Sequence, residues 1–228
     1  IRRAGDVIPE VVIGLGSRLE DAQYPTIKDL VSDVCPECGS QIEKAADAAD
    51  WYCTGGVYCQ AQVKEVILNF GSRNNLHIVG LGDKVVDELV NLRRINDYAD
   101  LYRLTPTSLA GLFTIGKTNA LKLLIALEES KRCKLHRFIS ALGIRHVGPS
   151  TAKNLVKHFG TLEAIREATL DQLLAVPDVG QVVAASVVSF FNELYSNELV
   201  DRLLASGFTW IEDQDTAIQK TQLTGKKV

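Results

Sequence analysis

The sequence predicts a mainly α fold: tandem units of helix, tight glycine turn and helix, a small four-cysteine module, and a residual β segment at the N-terminus. Three observations carry this. An apolar residue followed by Gly, with a small or apolar residue four positions on, occurs at Leu81-Gly82…Val86, Ile115-Gly116…Ala120, Val147-Gly148…Ala152 and Val179-Gly180…Ala184. The four glycines are 34, 32 and 32 residues apart, and a fixed period of this length marks a repeated supersecondary unit. Two cysteine pairs, Cys35-x2-Cys38 and Cys53-x5-Cys59, lie between the N-terminal segment and the first repeat. Residues 1–20 alternate weakly and contain Gly5, Pro9, Gly14 and Gly16, which reads as a strand from a barrel or sheet.

In chain order, Ile1 to Pro9 is expected to be a strand that cannot bury a face alone, so the chain is expected to be a fragment. Glu20 to Val34 is polar, contains Pro25, and reads as connecting chain. Two thiolate pairs on tight turns can converge on a tetrahedral Zn²⁺. Gly39 follows the first pair and Gly55-Gly56 lie inside the second, where glycine lets backbone N–H groups turn towards sulfur. Two disulfides or four unrelated thiols are the alternatives. No secretory signal is legible, which weighs against disulfides. Four thiolates leave no open position for substrate, so such a zinc is structural, with Trp51 and Tyr52 expected to cover it. Cys133 stands between Arg132 and Lys134. Those cations could lower its pKa, but no catalytic partner is visible, and an uninvolved thiol is the favoured reading.

From Gln62 the pattern is helical, with a stripe of Val63, Val66, Ile67 and Phe70 ended by Gly71. A helix-hairpin-helix reading fits each repeat, since glycine permits positive φ in the turn. The first hairpin holds Gly80-Leu81-Gly82; Thr114 and Asp178 stand at the first-glycine position of the second and fourth. Pro149 just inside the third helix suits a helix start. Ser196 to Leu204 reads as a last amphipathic helix, and Glu212 to Gln222 as polar chain.

Net charge is −3, which argues against a nonspecific polycationic binder. The charge is uneven: residues 112–160 carry nine Lys or Arg against Glu128 and Glu129. A local basic segment is a candidate anion-facing surface, with a merely solvated face as the alternative. A turn feeding a helix N-terminus points several N–H groups one way, and the helix dipole adds positive potential. Such a site suits a phosphate without a basic composition, and reads backbone and shape rather than base sequence. The candidate contacts are Gly80, Gly82, Lys84, Gly116, Lys117, Thr118, Arg145, His146, Gly148, Ser150, Thr151, Lys153, Gly180 and Gln181. Simple turn geometry is the competing account of each glycine. Paired hairpins would reach both strands across a minor groove, and the fourth is the weakest candidate because Asp178 opposes phosphate. No Ser-His-Asp pattern, phosphate-binding Gly-rich loop or Lys-x-Asp-Gly motif is present, so no catalytic residue is assigned. No apolar run is long enough to span a bilayer.

Together these features resemble the bacterial NAD⁺-dependent DNA ligase family. Ile1-Arg-Arg-Ala-Gly-Asp-Val-Ile-Pro9 is similar to the end of its oligonucleotide-binding (OB) barrel. Cys35-Pro-Glu-Cys38-Gly-Ser and Cys53-Thr-Gly-Gly-x-x-Cys59 resemble its four-cysteine zinc module. Ala141-Leu-Gly-Ile-Arg-His-Val-Gly148 and Val176-Pro-Asp-Val-Gly180 resemble its third and fourth hairpins, and Leu223-Thr-Gly-Lys-Lys-Val228 the start of its BRCT domain. The resemblance implies an OB-barrel end and connector over 1–30, a zinc module over 31–64, a domain of four helix-hairpin-helix motifs over 65–211, and a linker into BRCT over 212–228. It implies one structural Zn²⁺ on Cys35, Cys38, Cys53 and Cys59, holding the barrel against the helical domain. It implies a grip on nicked double-stranded DNA through the hairpins, with Arg2 and Arg3 touching DNA from the barrel edge. NAD⁺ and Mg²⁺ would serve the parent enzyme, bound in upstream domains that carry the adenylated lysine. The fragment alone is then expected to be inactive, and the parent cytoplasmic and monomeric. Two other classes remain: a non-enzymatic helix-hairpin-helix module of repair or recombination, and a zinc-stabilised protein-interaction domain.

Overall fold

The computed structural model describes residues 2–4, 8–10, 33–44 and 51–211, the first two ranges as backbone only. The chain divides into two compact units, residues 1–54 and 55–228. In the first, Ile1 to Pro9 is not one strand. Strands β1 (Arg2–Ala4) and β2 (Ile8–Glu10) pair antiparallel, Arg2 opposite Glu10 and Ala4 opposite Ile8. Strands β3 (Ile42–Lys44) and β4 (Trp51–Cys53) form a second antiparallel pair. The expected connector over 20–32 and the C-terminal stretch from Glu212 lie outside the described residues.

The second unit is helical: α1 (Gln60–Gly71), α2 (Asp83–Asn91), α3 (Pro106–Leu109), α4 (Lys117–Ser130), α5 (Leu135–Ala141), α6 (Pro149–Phe159), α7 (Leu162–Arg166), α8 (Leu170–Leu174), α9 (Gln181–Asn192) and α10 (Leu194–Ala205). None of these helices is long and apolar enough to cross a membrane. The stripe read on α1 is narrower than expected: Ile67 and Phe70 are buried and Val63 is half-buried, whereas Val66 is exposed. Gly71 ends α1 because of packing. A Cβ there would sit 2.6 Å from Leu81 Cδ2, so a larger residue would require the Leu81 side chain to shift. The last helix runs from Leu194, two residues earlier than its amphipathic pattern indicates.

Two features tie distant parts together. Phe70 of α1 stacks on Tyr98, with ring centroids 4.4 Å apart and planes within 6°. The contact chain continues through Tyr102, Phe208 and Phe138 to Trp210. Each such pair adds about 0.5–1.5 kcal/mol beyond its buried area. The second feature is Asp97, 9% exposed. Its Oδ1 accepts from the N–H groups of Ala99 and Asp100, capping a 3-10 helix over Tyr98–Arg103. The same carboxylate takes two bonds from Arg202 of α10, at 2.8 and 3.1 Å, and one from the Tyr195 hydroxyl. Burial and the Asp97 charge push the Tyr195 phenol up to about 12, so it remains a donor at neutral pH. Arg202 also donates to Asp100 at 2.7 Å, so removing Asp97 would cost the cap and several hydrogen bonds at once.

Asp97→Ala is therefore expected to destabilise the chain by roughly 2 kcal/mol, combining a lost cap with the loss of Arg202's bonds to Asp97, while Arg202 keeps Asp100. Urea denaturation followed by circular dichroism measures this; a midpoint within error of the parent's would show that the network contributes nothing.

Candidate metal centre and nucleic-acid interface

The cysteine module starts from a tight knuckle. The N–H of Cys35 donates to Ser40 O, and Gly39 N–H returns to Cys35 O, with Gly39 at φ +72°. A bridge between Val34 and Gln41 closes this loop. Pairing of β3 with β4 places Cys53 opposite Ile42, and the Thr54 N–H and hydroxyl both donate to Gln41 O. A 3-10 turn over Gly56–Tyr58, with Gly56 at φ +49°, then delivers Cys59 to the N-cap of α1.

The four sulfurs all lie within 4.8 Å of one another, Cys35 and Cys59 buried, Cys38 and Cys53 half-buried. Cys38 Sγ is 3.4 Å from Cys53 Sγ and none of the four cysteines is in a disulfide. A disulfide needs about 2.05 Å, so that alternative fails. A tetrahedral Zn²⁺ with bonds of about 2.3 Å needs sulfurs about 3.8 Å apart, which this cluster fits. The Ser40 hydroxyl and then its backbone N–H bring the Cys38 thiol down to about 6, the form a metal requires. Trp51 and Tyr52 are half-buried on β4, and Lys44 Nζ stands 5.9 Å from the Trp51 ring centroid. Cys133 behaves oppositely: burial pushes its thiol up to about 12 despite the nearby Arg137. The flanking cations leave it no more reactive.

The hairpins repeat one geometry. Gly82, Gly116, Gly148 and Gly180 are the N-caps of α2, α4, α6 and α9. Each glycine carbonyl accepts the first helical bond, from the N–H of Val86, Ala120, Ala152 or Ala184 at 2.9–3.0 Å. The apolar residues four before and one before each glycine are buried: Ile78 and Leu81, Leu112 and Ile115, Ile144 and Val147, Val176 and Val179. The expected positive φ is not at these glycines. They are extended, with φ between −79° and −102°. The left-handed residue lies two positions earlier: Gly80 at +93°, His146 at +65°, Asp178 at +61°. That is the position of a turn where φ must be positive. Thr114 does not adopt it.

The turns pair through one helix position. Glu88 lies on α2, six residues after Gly82. Its carboxylate accepts from the N–H of Phe113 (2.6 Å), the N–H of Thr114 (2.9 Å) and the Thr114 hydroxyl. These bonds, the Thr114 hydroxyl first, hold the Glu88 carboxyl below the ordinary range. Asn154 lies on α6, six residues after Gly148, and donates to Pro177 O and to Asp178 at 3.1 and 3.2 Å. Hairpins one and two, and three and four, are thus linked in equivalent ways.

The sequence-predicted contacts are distributed accordingly. Lys84, Lys117, Thr118, Ser150 and Lys153 are exposed in the first turns of their helices or just beyond, and Thr151 is half-buried. Arg145, His146 and Gln181 are exposed beside their caps. Acidic Asp83 opens α2, and Asp178 stands in the fourth turn. Arg2 and Arg3 lie on β1. Glu88 and Asn154 carry no sequence signal, since each acts through a distant partner. Asn75 lies in a polar concavity of about 480 Å³ beside the third hairpin, with Ser72, Ser140, His146 and Gly148. Its Nδ2 donates to Asn69, and its buried Oδ1 has no partner among the described residues.

Residues 34–61, which contain all four cysteines, match the family model of the NAD-dependent DNA ligase C4 zinc finger domain. The chain is 48% identical over 225 residues to a DNA ligase of Methylococcus capsulatus, covering 99% of this chain and 33% of that protein. Nearly the whole chain is thus similar to part of a DNA ligase. Residues 137–200, spanning the third and fourth hairpins, match the helix-hairpin-helix motif model. A DNA ligase of Saccharophagus degradans is 46% identical over 214 residues, 92% of this chain and 31% of that protein. The chain thus spans about a third of the length of the curated relatives it matches.

Stoichiometric zinc, one per chain, is expected by metal analysis of protein prepared with reduced cysteines. Stripping it with a chelator should unfold the module, since structural zinc supplies on the order of 10 kcal/mol in finger peptides. Protein that is fully folded and metal-free would defeat the four-thiolate site.

Proposed function

We propose that this chain is the part of an NAD⁺-dependent DNA ligase that grips nicked double-stranded DNA. Its hairpins contact phosphates along the minor groove while the rest of the parent enzyme seals the nick. One observation supports this above others. A Cβ added to Gly82, Gly116, Gly148 or Gly180 would meet nothing within 4 Å, and their extended backbone is open to any residue. Packing within the chain therefore does not call for glycine at these caps. Close approach of an outside backbone does, because a bare glycine leaves the first N–H groups of each helix free to receive phosphate oxygens. The connecting elements differ: Asp97, Thr105, Thr161 and Thr169 cap their helices with their own side chains.

In this reading the third hairpin is the strongest phosphate site, with Gly148, Ser150, Thr151, Arg145 and Lys153. Gly82 with Lys84, Gly116 with Lys117 and Thr118, and Gly180 with Gln181 are secondary. Zn²⁺ on Cys35, Cys38, Cys53 and Cys59 is structural. The domains follow the family order: OB-barrel end and connector to residue 30, with Arg2 and Arg3 facing DNA; zinc module 31–64; hairpin domain 65–211; and linker into BRCT 212–228. The parent, cytoplasmic and monomeric, uses NAD⁺ and Mg²⁺ in upstream domains. It adenylates a lysine, passes AMP to the 5′-phosphate, and joins that phosphate to the 3′-hydroxyl. This chain holds the duplex and does none of those steps.

Fluorescence anisotropy with nicked duplex is the test. Affinity should fall steeply as salt rises, with a log–log slope of about −4 if four or five phosphates are engaged; salt-independent binding would sink the model. Gly148→Val is expected to weaken binding by about tenfold while costing no more than about 1 kcal/mol of stability, the usual range for an N-cap change. Unaltered affinity would remove that hairpin from the contact surface.

A further inference from the structure

We propose that Phe113 is an apolar DNA contact, its ring pressed against deoxyribose and base edges in the minor groove, so that the second hairpin grips by its tip rather than by its turn amides. The inference rests on the duplex-binding reading above. Phe113 is 99% exposed, the full cost of leaving an aromatic ring in water with no compensating contact. It is nonetheless held at a fixed place. Its own N–H and both donors of Thr114 are bound to the Glu88 carboxylate, and its neighbours Leu112 and Ile115 are buried. A ring on a pinned backbone loses little conformational freedom on binding.

The corresponding residue, three before the cap glycine, is Val79 in the first hairpin, and it is 61% exposed. The linked first and second hairpins thus carry apolar tips. The third and fourth carry Arg145 and Pro177 at that position. The two hairpin pairs therefore differ in chemistry: one suits sugar and base surfaces, the other includes a cation for phosphate. The Phe113 and Thr114 amides already serve Glu88, so they are not available to a phosphate, while the first-turn amides of α4 after Gly116 have no side-chain cap. Minor-groove proteins use apolar side chains, Phe among them, against or between base steps. Nearby Lys117 gives the tip a positive flank.

The test compares the 228-residue chain with Phe113→Ala and Phe113→Leu on nicked duplex, by anisotropy across a salt series. Phe113→Ala should weaken binding about tenfold at every salt concentration, leaving the log–log slope unchanged, because an apolar contact releases no counterions. Phe113→Leu should recover part of the loss. Wild-type affinity in Phe113→Ala, with the parent chain still binding in a salt-dependent way, overturns this inference alone. A flattened slope in Phe113→Ala overturns it too, since the lost contact would then be ionic. Absence of salt-dependent binding by the parent chain defeats the duplex-binding reading itself.

Discussion

The hairpin domain depends on one bond made four times: the carbonyl of a cap glycine accepting from the N–H of a small residue four positions on. That bond is the first of each helix. It fixes where the turn stops and where the apolar residues before it must point. Ala120, Ala152, Ala184 and Val86 are buried at this position, so each second helix lies close against its neighbours. Burial of the residues four and one before the glycine follows from the same register. Shifting the glycine by one residue would turn the buried pair outward and lift the small residue off its neighbour. The spacing in the sequence is therefore the spacing of a hydrogen bond.

Pairing of the hairpins uses a second constraint of the same kind, with interchangeable chemistry. Glu88 accepts where Asn154 donates, yet both reach the following turn from six residues past a cap. The position is fixed by helix geometry; the polarity is set by what the receiving turn offers. In the second hairpin the turn offers N–H groups, and an anion suits them. In the fourth it offers a carbonyl and a carboxylate, and an amide donor suits those. Asp178 thereby acquires an internal partner, which accounts for an acid in a turn otherwise suited to phosphate.

The repeat and the metal site were legible because each is a short-range pattern: glycine with a residue four on, and cysteines on two tight turns. What escaped has identifiable causes. The left-handed turn residue is Gly80 in one hairpin and His146 or Asp178 in others, so no residue type marks it; both side chains are among those that tolerate this conformation. Strands β5 (Arg132–Cys133) and β6 (Thr209–Trp210) pair in parallel across 77 positions. Two residues cannot show a period, and the pairing is visible only once α5 to α10 have folded between them. The same pairing explains Cys133: reading its cationic neighbours alone missed the burial that raises its pKa.

An acidic chain can keep cations unpaired beside its helix caps when some of its acids are held by other cations. Asp97 and Asp100 hold Arg202, Asp201 holds Arg166, Glu128 holds Lys131, and Asp87 holds Lys64. Lys84, Lys117 and Lys153, in or next to the first turns after the cap glycines, form no ion pair among the described residues. Net charge averages over both populations and so understates the potential at the caps. The cap amides add a local positive end to each helix that does not enter the count of side chains. Field at a contact distance is set by the nearest unpaired groups, since solvent ions screen charges more than about 10 Å away. In the proposed DNA-binding reading, the tips then need only bring sugar and phosphate to that distance, a task suited to a turn bearing a ring or a guanidinium.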